Sequence, residues 1–161
     1  MATVTKNQKL TEIREEARRL SEQSGTADQL MDGITTLLNA QMLKYNWVGF
    51  YMLEDSAEPM LVLGHYKGAM TPHTRIPLNQ GICGAAASSG KTVVVDDVKR
   101  DSRYLACSLE TKSEIVVPVF VNGKVAGELD IDSHFAAAFT PEDRELVEYC
   151  AKLVGAKLER K

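Results

Sequence analysis

A cysteine and a group of carboxylates lie close together in the sequence between residues 104 and 135. Cys107 stands in a polar segment, and Glu114 follows it seven residues later. Farther along, Glu128, Asp130 and Asp132 alternate with apolar residues. Because the side chains of a β-strand point to opposite faces with a period of two, these three acids share one face. On an outer face they would be solvated, whereas in a concave site they would hold a cation or donate protons.

Each of the three cysteines has a different sequence environment. Cys150 lies on an apolar helical stripe, four residues after Leu146, and we expect it to be a buried small hydrophobe without a redox role. Cys83 stands at the start of a short predicted helix, either as a small residue in a tight turn or as a thiol activated by the helix N-terminus. Cys107 has no evident histidine partner, and a thiol beside proton donors suits removal of oxygen from a substrate better than acyl transfer.

The elements that position these residues follow from the hydrophobic pattern. Apolar residues at helical spacing predict one helix before residue 24 and a second one after Thr26. About six strand-like segments follow, and Thr140-Pro141 begins a final helix. This order predicts an α+β fold: a central, mostly antiparallel sheet of five or six strands with the N- and C-terminal helices on one face. The loops of residues 66–113 would then cover a small-ligand pocket on the other face.

Two strand features bear on that pocket. Trp47 and Tyr51 are four residues apart on a predicted strand and share a face, as core residues or as an apolar pocket wall. Residues 122–123 are Asn-Gly, a strong signal for a two-residue hairpin turn. A regular hairpin would pair Glu114 with Ile131 and turn Glu114 away from Asp130. A bulge is therefore needed to bring the acids together.

Length and composition exclude several classes of protein. The 161 residues predict a single domain over 1–161, with an N-terminal helix in 1–25 and a core in 26–161. The net charge of −3 provides no basic field, so we expect no nucleic-acid partner. No apolar stretch approaches the roughly 18 residues of a membrane span, and no signal peptide precedes the first helix, so we expect a cytoplasmic protein without membrane contact. Three scattered cysteines without a CxxC pattern predict no disulfide framework, and we expect no metal or cofactor.

Four blocks of sequence occur in a specific order: NWVGFY at 46–51, GICGAA at 81–86, the AC segment around Cys107 with SE at 113–114, and LDIDS at 129–133. With this spacing, the region from about Asn46 to Asp143 resembles the GAF-domain family of free methionine-(R)-sulfoxide reductases. The resemblance implies a GAF fold and an enzyme that reduces the free amino acid methionine-(R)-sulfoxide with a thiol. The alternative is a stand-alone GAF domain that binds a small ligand in a sensing or regulatory role without catalysis.

The resemblance also implies a role for each matched residue. Cys107 would attack the sulfoxide sulfur and become a sulfenic acid, and Cys83 would form a disulfide with it. Thioredoxin or a similar dithiol would then reduce the disulfide, and we expect a homodimer. The other matched positions form an aromatic wall and a set of carboxylates around the substrate, namely Trp47, Tyr51, Asp97, Glu114, Asp130 and Asp132.

One position departs from the family. Its members usually carry a further cysteine ten residues before the cysteine of the GICG block, commonly as the disulfide partner of the catalytic cysteine. His73 occupies that position here. Because histidine has no sulfur, recycling of Cys107 would pass through Cys83 or through an external thiol.

Overall fold

The computed structural model describes residues 5–105 and 109–160. Within them, four α-helices and a six-stranded sheet account for most of the chain. The helices are α1 (Lys6–Gln23), α2 (Ala27–Gln41), α3 (Gly81–Ser89) and α4 (Pro141–Glu159). The strands are β1 (Trp47–Glu54), β2 (Met60–Lys67), β3 (Arg75–Pro77), β4 (Val93–Val95), β5 (Ser113–Val121) and β6 (Lys124–Ser133). A single 3-10 turn covers Val98–Arg100.

The strands lie in the order β3-β2-β1-β6-β5-β4, and every neighbouring pair is antiparallel. Hairpins join β1 to β2 and β5 to β6, so these neighbours in sequence are also neighbours in the sheet. The predicted α+β class and the mostly antiparallel sheet are therefore confirmed.

Helices α1, α2 and α4 cover one face of the sheet, and α1 packs against α4. Each begins at a threonine whose side chain accepts a hydrogen bond from a backbone N–H of the first turn, which stabilises the helix start. Cys150 is fully buried in this core, as its apolar stripe predicts. The core between helices and sheet includes Ile13, Leu30, Ile34, Leu38, Ile131, Leu146 and Val154.

A glycine allows α4 to lie directly on β5. A Cβ atom at Gly155 would be 2.3 Å from the backbone oxygen of Phe120, so any larger residue would push the helix away from the strand. None of the helices in the described ranges is both long and apolar enough to cross a membrane.

The opposite face of the sheet is covered by α3 and by the loops that surround it. A second group of buried residues forms here, and it includes the aromatic rings of Trp47 and Tyr51 together with Cys83 of α3. Loop residues Tyr104 and Leu105 pack against the same group. This is the predicted loop-covered face, and the central strands of the sheet are thus covered on both sides.

The hairpin between β5 and β6 contains the bulge that sets the register of the acids. Asn122 and Gly123 have φ values of 52° and 78°, as a two-residue primed turn requires. Phe120 then pairs with Val125, but Val119 pairs with Gly127, so β6 carries one extra residue. The register of a regular hairpin therefore ends at this point, and residues 113–119 of β5 pair one position farther along β6 than that register gives.

Candidate functional site

The bulge brings four carboxyl groups to one face of the sheet. Glu128, Asp130 and Asp132 alternate along β6, and Glu114 of β5 pairs directly with Asp132. All four are buried, and Glu114 is the most accessible at 5% exposure. The leucine and isoleucine between them point into the helix-covered core. We call these four residues the carboxyl cluster.

Strand β1 places aromatic rings beside the carboxyl cluster. Trp47 pairs with Asp132 and Tyr51 pairs with Glu128, so both rings share the face of the acids. The centroids of the two rings are 6.2 Å apart. Gly49 lies between them, and a Cβ atom there would be 2.3 Å from the Trp47 ring, so the indole lies across the glycine. We call Trp47 and Tyr51 the aromatic wall.

Hydrogen bonds to loop backbone hold both rings of the aromatic wall in place. The Trp47 indole N–H donates to the Ala69 carbonyl oxygen at 3.0 Å. The Tyr51 hydroxyl donates to the His73 carbonyl oxygen at 2.7 Å. Because the loop takes part through backbone atoms, the side chain at position 73 is not needed for the Tyr51 contact.

Cys83, the third residue of α3, touches the carboxyl cluster from above the sheet. Its Sγ donates a hydrogen bond to Asp130 Oδ2 at 3.4 Å. Burial is the largest cause that raises the pKa of the Cys83 thiol well above its usual value, and the negative charge of nearby members of the cluster raises it further. The helix N-terminus therefore does not make Cys83 an activated thiolate. Of the two interpretations that the sequence leaves open, the activated thiol does not fit this direction of the pKa shift, and Cys83 lies within α3 rather than in a tight turn.

The pKa values within the carboxyl cluster are raised to different extents. Burial and the charge of neighbouring acids raise the pKa of Glu114 and of Asp132 well above the usual range. Burial also raises the pKa of Asp130, but hydrogen bonds from Glu114, Cys83 and Asp132 oppose that rise. The hydrogen bonds that Asp130 accepts favour its ionised form, whereas burial and neighbouring charge favour the protonated forms of Glu114 and Asp132.

Several oxygens of the carboxyl cluster have no partner in the described part of the chain. They are both carboxyl oxygens of Glu128 and the Oδ1 atoms of Asp130 and Asp132, all of them buried. None of the ion pairs between described residues involves the cluster. Buried polar atoms without partners are costly, so this site is suited to a ligand that carries positive charge and hydrogen-bond donors.

A small cavity of about 80 Å³ adjoins the cluster at Trp47 and Asp132. Its rim includes Met70, Thr111 and His134. Cys107, the predicted catalytic thiol, lies outside the described residues. The chain on either side of it is located: Leu105 packs against the α3 side of the site, and Glu110 and Thr111 line the cavity.

Comparison with known proteins places this site in a family. A family model described as GAF domain matches residues 26–158. A free methionine-R-sulfoxide reductase of Saccharomyces cerevisiae is 37% identical over 142 residues, which cover 81% of this chain and 78% of the yeast protein. The chain belongs to the GAF-domain family of free methionine-R-sulfoxide reductases.

Solved structures of this family have the same fold. The free methionine-R-sulfoxide reductase of Neisseria meningitidis, solved in complex with its substrate, superimposes with a TM-score of 0.90. It is 32% identical, and the alignment covers 99% of this chain and 93% of that one. The type II free methionine-R-sulfoxide reductase of Thermoplasma acidophilum has a TM-score of 0.76 at 37% identity, with 91% and 94% of the two chains covered.

Asp97, one of the matched residues of this GAF domain, lies apart from the others. Asp97 caps the 3-10 turn, where its Oδ1 accepts a hydrogen bond from the Lys99 N–H at 3.1 Å and its Oδ2 lies 3.4 Å from Arg100 Nε. Its described contacts are thus with the turn and not with the carboxyl cluster.

Glu128, in contrast, belongs to the cluster although the family match did not single it out. The alternation of acids along β6 was the sequence signal for it.

We expect Glu128→Gln to stabilise this GAF domain selectively at higher pH. Burial raises the pKa of Glu128 well above its usual range. A carboxyl with a raised folded-state pKa contributes stability that is fully present below its unfolded pKa of about 4.3 and is lost as the pH rises through the folded value. The amide cannot ionise, so the variant should gain roughly 1–3 kcal/mol over wild type at about pH 8 and little at about pH 5.

Urea unfolding of both proteins at the two pH values measures this difference. Glu58→Gln, at an exposed glutamate, is the matched control and should leave the pH dependence unchanged. An equal gain or loss at both pH values in Glu128→Gln would contradict the argument.

Proposed function

We propose that this protein reduces free methionine-(R)-sulfoxide to methionine, with Cys107 as the nucleophile. The observation that carries the proposal is the buried carboxyl cluster beside the aromatic wall, with unpaired oxygens and no counter-cation among the described residues. The names of the relatives from Saccharomyces cerevisiae and Neisseria meningitidis support the same substrate.

The chemistry of the site explains why the substrate would be the free amino acid. A free methionine sulfoxide carries an ammonium group, which offers a positive charge and three hydrogen-bond donors to the carboxyl cluster. A methionine sulfoxide within a polypeptide has an uncharged amide at that position and a chain on either side. The aromatic wall suits the methyl group at the other end of the substrate. Buried acids therefore select for the free amine.

The first chemical step reduces the sulfoxide and oxidises Cys107. The thiolate attacks the sulfoxide sulfur to form a sulfur–sulfur bond, and the sulfur–oxygen bond breaks as the protonated oxygen leaves as water. Water then attacks the Cys107 sulfur, the sulfur–sulfur bond breaks with its electron pair going to methionine, and a proton is released. The substrate is reduced to methionine, and the thiol is oxidised to a sulfenic acid. The departing oxygen needs protons, and Glu114 and Asp132 are suited to donate them because their raised pKa keeps them protonated.

The second step uses Cys83 to return Cys107 toward the thiol. Cys83 Sγ attacks the sulfur of the Cys107 sulfenic acid, a sulfur–sulfur bond forms as the sulfur–oxygen bond breaks, and the hydroxyl group takes up a proton and leaves as water. Since burial keeps Cys83 protonated, a base must accept its proton. Asp130 is suited to that role because its Oδ2 already accepts the Cys83 hydrogen bond. A dithiol protein of the thioredoxin type would then reduce the disulfide and become oxidised itself. The homodimer and the cytoplasmic location stay predictions.

A comparison of three substrates tests the proposal. The reduced protein is given free methionine-(R)-sulfoxide, the (S) epimer, or N-acetyl-methionine-(R)-sulfoxide, each with dithiothreitol as reductant, and the reduced product is quantified by chromatography. We expect turnover of the free (R) epimer, and little or none of the other two. Absence of product from all three, with binding of the free amino acid detected by calorimetry, would favour the ligand-binding GAF alternative. Equal turnover of the acetylated compound would refute the role of the ammonium group.

A further inference from the structure

We propose that Cys83, Glu114 and Asp130 form a binding site for a divalent cation of the zinc and cadmium class. Each residue offers one ligand atom, and these three atoms, a sulfur and two carboxyl oxygens, lie within 4.8 Å of one another. The Cys83 Sγ to Asp130 Oδ2 distance is 3.4 Å. That distance is close to the edge of about 3.5 Å in a tetrahedral zinc site with metal–ligand distances of roughly 2.0–2.3 Å.

The sequence predicts no such site because its ligands come from three separate elements. Cys83 is on α3, Glu114 on β5 and Asp130 on β6, and their spacing matches no metal-binding motif. Only the packing of α3 over the two strands brings the three ligand atoms together. All three side chains are buried and stand on helix or strand backbone, which favours a preformed arrangement of ligands.

The unpaired oxygens of the carboxyl cluster are an independent observation that points to a cation. Asp130 Oδ1 and both carboxyl oxygens of Glu128 are buried without a partner in the described ranges. These atoms stand beside the three proposed ligands and are available as a further ligand or as acceptors that orient the first three. A bound cation would give these oxygens a partner, which no ion pair among the described residues provides.

The thiol determines which cation the site prefers. Mg²⁺ and Ca²⁺ take oxygen ligands, and one sulfur among three ligands disfavours them. Zn²⁺ and Cd²⁺ accept mixed sulfur and oxygen ligands in tetrahedral geometry. The cavity at Trp47 and Asp132 adjoins the cluster at one of its members.

Metal binding would also oppose catalysis, a consequence that rests on the proposed function. The cation would occupy the carboxyl cluster in place of the substrate ammonium group, and it would hold Cys83 as a ligand. A metal-loaded protein should therefore bind the sulfoxide more weakly and should not form the Cys83–Cys107 disulfide. The binding itself does not depend on any enzymatic activity.

Cadmium titration of the reduced, chelator-treated protein tests the site directly. Thiolate ligation of Cd²⁺ produces an ultraviolet charge-transfer band, which should rise to saturation at one ion per chain. Cys83→Ser should abolish this band, whereas Cys150→Ser, at a thiol in the other core, should retain it. Asp130→Asn should weaken binding by at least about tenfold, since removal of a supporting group alone costs that much. Circular dichroism confirms that each variant is folded.

A band that persists in Cys83→Ser, or no saturable band in wild type, would overturn the proposal. Competition of Zn²⁺ against a chromophoric chelator should report the same single site and the same loss in Cys83→Ser. The reductase assay distinguishes the two proposals. Sulfoxide reduction without metal binding would refute only the metal site, and metal binding without reduction would refute only the proposed function.

Discussion

Cys107→Ser should abolish methionine release, whereas Cys83→Ser should release one equivalent of methionine and then stop. The serine hydroxyl is a poor nucleophile toward sulfoxide sulfur, and loss of a nucleophile costs roughly 10⁴-fold or more in rate. In the proposed mechanism, Cys83 acts only after the sulfoxide has been reduced. Its removal therefore blocks recycling and leaves the first step intact.

The environment of Cys83 is the reason for this order of events. The thiolate is the reactive form of a cysteine, and the raised pKa of Cys83 keeps it as the thiol. Its sulfur also donates a hydrogen bond to Asp130. A thiol held in this way is unsuited to attack a sulfoxide but can attack a more reactive sulfenic acid once Asp130 accepts its proton.

Mass spectrometry after one equivalent of free methionine-(R)-sulfoxide, without reductant, measures both outcomes. Wild type should yield one methionine per chain and a Cys83–Cys107 disulfide. Cys83→Ser should yield the same methionine and a Cys107 sulfenic acid that dimedone traps. Cys150→Ser should behave as wild type, because this thiol lies in the helix-covered core on the far side of the sheet. Methionine release from Cys107→Ser would disprove the assignment of the nucleophile.

Asp132→Asn should lower kcat by roughly 10²–10⁴-fold, the usual contribution of a positioned general acid. Asp132 pairs with Glu114 on one neighbouring strand and with Trp47 on the other, so it lies between the Glu114 carboxyl and the aromatic wall. Its raised pKa keeps the proton available for the departing oxygen. The amide preserves the size of the side chain but cannot supply that proton.

The pH profile separates proton donation from simple packing. An acid that acts as a donor is active while protonated, so wild-type kcat should fall as the pH rises through the raised pKa of Asp132 and Glu114. Asp132→Asn should show a flatter profile in addition to its lower rate. Asp97→Asn is the matched control, because asparagine also caps the turn at residue 97 and the described contacts of Asp97 avoid the cluster. A large loss in Asp97→Asn, or none in Asp132→Asn, would contradict this assignment.

Local patterns in the sequence were sufficient to predict the helices, the β5–β6 hairpin and the two faces of β6. Apolar residues at helical spacing predicted the helix-covered core that contains Cys150, and Asn122-Gly123 predicted the turn. The alternation along β6 predicted that Glu128, Asp130 and Asp132 share a face. These features depend on residues within about ten positions of one another, so periodicity and turn preferences specify them.

The composition of the site, in contrast, was decided by the tertiary structure. The extra residue in β6 shifted the register and paired Glu114 with Asp132, and sequence reasoning could name that bulge only as a requirement. Packing of α3 onto the sheet buries Cys83 against Asp130 and raises its pKa, whereas the sequence left open whether the helix N-terminus activates this thiol. Burial and contacts between distant segments arise only when layers pack together. The sequence by itself therefore determined which groups face the site, and the packing decided which of them meet and which hold their protons.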